Sequence, residues 1–330
     1  MMKADQIRIQ SPTYEDVLRA RRQIAPYLMP TPLHEYPALN DFLGARVFIK
    51  HENHLPTGAF KVRGGLNLIS QLTDGERKRG VIAASTGNHG QSVAYAARLF
   101  DVKARIVVPE KANPGKVESM RGLGAEVVFH GATFDDARVH CERLAETGAL
   151  RYVHSGNEPL LIAGVATAAA EMLEVEPEIE IIIVPVGGGS GAAGACIVAN
   201  EINPKIRVIG VQSAQSRAAY DSWSQRELVT RPNTTIAEGL ATGSAFSLPQ
   251  TIMWERLSDF VLVQDEQMLQ AMAWLIEYAH TLAEAAGAAP LAAAYQMREM
   301  LKDKKIALIC SGANATPEQV QLALNMAEQT

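Results

Sequence analysis

A chain of 330 residues, 47% apolar and 20% charged, has the composition of a globular protein and is long enough for one large or two ordinary domains with cores of their own. Its formal charge of −5 leaves no basic stripe to follow a phosphate backbone, which argues against a nucleic-acid partner. Cys141, Cys196 and Cys310 stand far apart with no Cys-x-x-Cys pair, which excludes a disulfide framework and zinc-ligand spacing and fits a reducing, cytoplasmic compartment.

No basic-then-apolar leader is visible in the mixed, polar stretch from Met1 to Gln10. Ser11-Pro12-Thr13 reads as a cap for a helix running to about Pro26, and the Pro30/Pro32 pair closes it. Arg46-Val47-Phe48-Ile49-Lys50 alternates as a strand and is followed by a polar turn and a helix over residues 62–71.

From residue 80 to about 156 the pattern tightens. Strands are predicted at 81–84, 104–108 and 126–129, with helices at 89–100, 113–123 and 133–146 between and after them. Short strands separated by helices of this length imply a parallel sheet in a small α/β domain.

The same alternation returns at larger scale. A helix is predicted over 160–173, a buried strand over 181–186, a helix over 191–199 and strands over 207–211 and 306–309. Residues 181–199 carry no charge over a length that nominally spans a bilayer, but Pro185 and the glycines at 187, 188, 189, 191 and 194 make strand, loop and helix the better reading, so no membrane contact is expected. Residues 216–248 read as irregular, and no repeat, low-complexity tract or regulatory module is seen.

Four segments carry chemistry. Thr57-Gly58-Ala59-Phe60-Lys61-Val62-Arg63-Gly64-Gly65 places one lysine where an extended segment turns into a helix. Its amine is suited to a Schiff base with a carbonyl cofactor once burial lowers its pKa, and Phe60 would pack beside that cofactor. Gly187-Gly188-Gly189-Ser190-Gly191 follows a buried strand and opens a helix, so its amides and the helix dipole would cradle a phosphate. The overlapping Gly-x-Gly-x-x-Gly at 189–194 keeps a dinucleotide reading open, although the next strand ends in Gln212 and Ser213 where a ribose-binding acid is wanted.

Ser85-Thr86-Gly87-Asn88-His89-Gly90 again joins a strand to a helix, and its hydroxyls and free amides suit the carboxylate of an amino-acid substrate. His89 is a possible base, though a histidine at a helix start more commonly caps or packs. Cys310-Ser311-Gly312-Ala313-Asn314 follows the last strand, where Ser311 caps a helix or meets a ligand.

Together these segments make the chain resemble the fold-type II pyridoxal-phosphate (PLP) enzymes, specifically the threonine/serine dehydratase and serine racemase group. The resemblance runs from Thr31-Pro32-Leu33 to Asn314. It implies two open parallel-sheet α/β domains of the tryptophan synthase β kind with PLP in the cleft between them. The large domain would comprise residues 1–79 and 157–330 and the small one 80–156, with no C-terminal regulatory domain and assembly as a homo-oligomer, a dimer. It further implies that Lys61 carries PLP, that Asn88 touches the cofactor's 3-hydroxyl, that Ser311 meets the pyridine nitrogen, and that Gly239 and Glu284 flank the ring. Thr86 stands where racemizing members keep an acid/base serine.

Departures fall on the substrate side. Residues 212–218 read Gln-Ser-Ala-Gln-Ser-Arg-Ala where metal-binding members place acids, so no divalent metal is expected there. Ala59 replaces a serine, Ala313 a glycine, and Ala163-Gly164-Val165-Ala166-Thr167 differs from the dehydratases' Ala-Gly-Gln-Gly-Thr. The expectation is an ammonia-lyase acting on an L-3-hydroxy amino acid, by default L-threonine or L-serine. Dehydration of phenylserine or 3-hydroxyaspartate, racemization, a non-catalytic binding module of the same fold, and a dinucleotide oxidoreductase remain open alternatives.

Overall fold

The computed structural model describes residues 9–327. The stretch Met1 to Arg8, most of the segment read above as lacking a leader, lies outside them. Two sheets carry the architecture, and the chain enters the larger one, leaves it to build the smaller, and returns. The first strands are β1 (Leu33–Glu35) and β2 (Arg46–His51). Four strands then form the small sheet: β3 (Val81–Ala84), β4 (Ala104–Val108), β5 (Glu126–Phe129) and β6 (Arg151–Tyr152), in the order β5-β4-β3-β6. The large sheet is completed by β7 (Ile181–Pro185), β8 (Arg207–Ser213), β9 (Asp259–Val263) and β10 (Lys305–Cys310), in the order β1-β2-β10-β7-β8-β9.

Among the described residues, every pairing between named strands is parallel except one. β1 runs antiparallel to β2 at the sheet edge. That strand is absent from the sequence reading, because three residues between Pro32 and Pro37 are too few to show a period. Residues 216–248 also differ from expectation: they contain a helix at Ala218–Gln225 and a 3-10 turn at Glu238–Leu240. The helix has no side-chain N-cap bond, so its start carries no signature.

Helices cover both faces of the large sheet. In β7, Ile181 and Ile183 pack into the cluster formed with Asp265–Ala279 and Ala285–Gln296, while Ile182 and Val184 pack into the opposite cluster under Pro159–Val175 and Ser190–Ile202. This is the two-residue alternation of a strand buried on both sides. The small sheet repeats it, with Val81 and Ala83 on one face and Ile82 and Ala84 on the other. No helix among the described residues is long and apolar enough to cross a membrane.

Because the strands are parallel, their carboxyl ends face the same way and the loops that follow them converge. The loops after β2, β3, β7 and β10 hold the four segments singled out above.

Candidate active site

Lys61 is the first residue of α1, the helix Lys61–Ser70. The turn before it needs Gly58, which sits at φ +65° with Asn314 Oδ1 2.9 Å from where a Cβ would stand. The Phe60 amide donates to the Ser311 carbonyl (2.9 Å) and the Ala313 amide to the Gly58 carbonyl (2.8 Å), so the lysine loop is stitched to the loop after β10. Ala59 and Gly312 complete that bridge, with Ala59 fully buried. The Lys61 amine donates to Ser190 Oγ (2.8 Å) and to the Ser155 carbonyl (3.1 Å), 5.1 Å from the centre of the Phe60 ring. Burial pushes its pKa down to about 8.

The loop at 187–191 leads from β7 into α2 (Ser190–Ile202). No backbone amide from Gly187 to Gly191 finds a carbonyl partner among the described residues. A Cβ at Gly187 would stand 2.3 Å from the Gly239 carbonyl oxygen, and one at Gly188 equally close to the Phe246 ring, so only glycine leaves the main chain this exposed to a ligand. Unspent amides at a helix start, next to a lysine amine of lowered pKa, are the donor set for a phosphate attached to an aldehyde, and PLP fits them.

Across the cavity, Ser85 Oγ accepts from the Gly87 (3.1 Å) and Gly90 (2.8 Å) amides. It thereby shapes the loop ahead of α3, the helix Asn88–Leu99. The Thr86, Asn88 and His89 amides and the Thr86 hydroxyl have no hydrogen-bond partner among the described residues. His89 is buried, with Nε2 on the Val153 carbonyl (2.9 Å), and burial with the Lys61 charge lowers its pKa to about 3. Its ring is therefore neutral at physiological pH.

A relay of amides lines the floor. Asn314 Nδ2 donates to Asn88 Oδ1 (2.8 Å) and also to the Thr57 carbonyl (2.9 Å), and Asn88 Nδ2 donates to Glu284 Oε1 (2.6 Å). Burial raises the Glu284 pKa, against the pull of Lys116 and of the Asn88 bond. The residues assigned a catalytic, cofactor or substrate role from the sequence line this one cavity of about 300 Å³: Phe60, Lys61, Ser85, Thr86, Gly87, Asn88, His89, Gly187, Gly188, Gly189, Ser190, Gly191, Gly239, Glu284 and Ser311.

The sequence reading gave no role to others. Lys116 and Glu238 form an ion pair (2.7 Å) at the cavity wall, Asn314 joins the floor relay, and Phe246 packs its ring edge-on against His154 at 4.8 Å between centroids. A Cβ at Gly156 would lie 2.4 Å from that ring, so Gly156 and Gly188 both make room for it.

Near the strand that follows the phosphate loop, the buried Asp265 carboxylate accepts from Ser213 Oγ (2.7 Å), Thr235 Oγ1 (2.7 Å) and the Ile236 amide (2.8 Å). It thereby anchors the chain that leads to Gly239.

A lysine amine beside a glycine loop of unspent amides, set between two α/β units at the carboxyl ends of parallel strands, is the arrangement of a PLP enzyme of fold type II. The chain belongs to the pyridoxal-phosphate dependent enzyme family, whose model matches residues 24–312. It is 35% identical to the L-threonine ammonia-lyase of Thermotoga maritima over 314 residues, 95% of this chain and 78% of that protein. Among solved structures it is similar to the serine racemase from Dictyostelium discoideum (TM-score 0.87, 32% identity, covering 93% of this chain and 100% of that one). It is also similar to the T.th. threonine deaminase (TM-score 0.87, 34% identity, 92% and 99%).

Proposed function

We propose that this chain is a PLP-dependent ammonia-lyase that converts an L-3-hydroxy amino acid, by default L-threonine or L-serine, to the 2-oxo acid and ammonia. The observation that carries the reading is the Lys61 amine, its pKa lowered to about 8, placed 2.8 Å from Ser190 Oγ in a loop of unspent amides. PLP, held on Lys61, supplies an electron sink for the pair released when the substrate's Cα–H bond breaks.

The residues of the chain do the rest. Amides at 187–191 would bind the phosphate, Phe60 and Gly239 would flank the ring, Ser311 would offer a hydroxyl to the pyridine nitrogen, and Asn88, tied to Glu284 and Asn314, would meet the cofactor's 3-hydroxyl. Ser85 shapes the substrate loop, whose Thr86, Asn88 and His89 amides take the α-carboxylate, with Gly87 keeping that loop open. The Lys61 amine would accept the Cα proton. The substrate's own 3-hydroxyl takes up a proton, balancing the one given to Lys61, and leaves as water, and the released enamine is hydrolysed to the 2-oxo acid and ammonia.

A second reading is racemization, favoured by one observation: the Thr86 hydroxyl lines the cavity without a partner and is a candidate to return a proton. We further propose that residues 80–156 form a small domain set against 1–79 and 157–330, and that the protein works in the cytoplasm as a homo-oligomer, a dimer, without a metal.

The test is release of 2-oxo acid and ammonia from a panel of L-3-hydroxy amino acids with added PLP, with and without a chelator, beside Lys61→Ala. Chelator-insensitive release by wild type and none by the variant is expected, even where the variant still binds PLP. Release by Lys61→Ala without an added amine would remove Lys61 as the base, and silence of PLP-bound wild type across the panel would remove the lyase.

A further inference from the structure

Lys116 is the third residue of α4, the helix Pro114–Gly122, whose cap is Asn113: its Oδ1 accepts from the Gly115 (2.9 Å) and Lys116 (3.3 Å) amides. The side chain is 10% exposed and runs along the loop before α3: a Cβ on Gly87 would lie 3.1 Å from Lys116 Cδ and 3.5 Å from Nζ. The ammonium thus stands beside the loop whose Thr86, Asn88 and His89 amides are unspent. It spends one donor, on Glu238 Oε2 at 2.7 Å, and no second acceptor is within hydrogen-bond reach among the described residues. An ammonium carries three N–H donors, and burying one with two of them idle is costly. Cation and amides share one vacancy in their bonding, and a carboxylate fills it.

We propose that Lys116 binds the α-carboxylate of the substrate, and that Glu238 is the partner that holds its ammonium in place until the amino acid arrives. The carboxylate receives N–H bonds from the loop before α3 and from Lys116 Nζ. Glu238 lies in the turn Glu238–Leu240, whose Gly239 carbonyl abuts Gly187 of the phosphate loop, so recruitment of Lys116 by substrate is felt on the cofactor side as well. The assignment rests on reading this cavity as an amino-acid site, and it holds whatever reaction follows.

The experiment titrates the PLP-loaded enzyme with L-alanine and with ethylamine, which differ only by the carboxylate and have no 3-hydroxyl to eliminate, following the cofactor's absorbance. Lys116→Met is expected to raise the L-alanine dissociation constant roughly 10–100-fold, the worth of a hydrogen bond to a charged group, and to leave ethylamine unchanged. Lys116→Arg recovers part of the loss, and Glu238→Gln binds L-alanine at least as well as wild type. Lys116→Gln serves where the methionine variant does not fold.

Equal weakening of both ligands, or weakening of neither, overturns the proposal, as does Glu238→Gln losing L-alanine as Lys116→Met does. Failure of the lyase reading is told apart by its own assay: carboxylate discrimination with no 2-oxo acid released leaves Lys116 assigned and the lyase refuted.

Discussion

Two residues beyond Lys61, Arg63 is fully buried between two carboxylates. Its Nε donates to Glu52 Oε2 (2.6 Å) and its Nη2 to Glu52 Oε1 (2.9 Å), while Nη1 and Nη2 reach Glu171 Oε1 (2.6 Å) and Oε2 (2.8 Å). Lys50 Nζ adds a bond to Glu171 Oε2 (2.7 Å). Burial alone would raise the Glu171 pKa, but Arg63 and Lys50 outweigh it and hold the group below its ordinary value. Two acids and two bases make the cluster neutral, and Arg63→Met leaves one net negative charge in a dry site. Removing one partner of a buried pair costs about 3–5 kcal/mol, a large share of the ~5–15 kcal/mol that usually holds a fold together. The double variant Arg63→Met/Glu52→Gln restores the neutral count and is expected to recover about half of that loss, since the unpaired charge and not the lost packing dominates. Guanidinium unfolding followed by tryptophan fluorescence and circular dichroism together measures both, because coincident transitions license a single free energy. A loss below about 1 kcal/mol for Arg63→Met, or a double variant no more stable than the single one, would refute the charge argument.

The phosphate loop makes a contrast. Gly188→Ala meets a side chain, Phe246, whereas Gly187→Ala meets the Gly239 backbone, each about 2.3 Å from the new Cβ. Both should weaken PLP binding roughly tenfold to hundredfold, as overpacking of ~1–3 kcal/mol implies, with Phe246→Ala rescuing only the Gly188 variant in equilibrium dialysis. With a Lys61 pKa lowered to about 8, the neutral amine fraction grows as pH rises through 8. The rate at which cofactor-free protein captures PLP, read by absorbance, should therefore climb through that pH and level above it, and a profile still rising steeply at pH 10 would contradict the burial argument.

What the sequence made legible followed from local pattern. Val81–Ala84, Ala104–Val108 and Glu126–Phe129 are strands at the expected bounds, because each is a short apolar run between helices that announce themselves by caps or glycine. The lysine turn and the three glycine- or serine-rich loops were legible for a related reason, since each is a break between strand and helix where function concentrates. Residues that act through distant partners left no such mark. Asn113-Pro114-Gly115-Lys116 reads as an ordinary capped helix start, and nothing near it points to Glu238, 122 positions away. Arg63 sat in plain view inside the lysine motif, yet its carboxylate partners lie 11 and 108 positions off, one on each side. Phe246 looked like part of an irregular stretch until Gly156 and Gly188 were seen to make room for it. Lys116 and Phe246 reach the cavity through such long-range contacts, whereas the lysine turn and the glycine- and serine-rich loops each carry their own signature. That division explains why the motifs point to PLP and stop short of the substrate's side chain. It also separates Lys116 from Phe246: variation at Lys116 would alter amino-acid binding with the glycine loop left in place, whereas Phe246 abuts Gly188 and a change there reaches that loop as well.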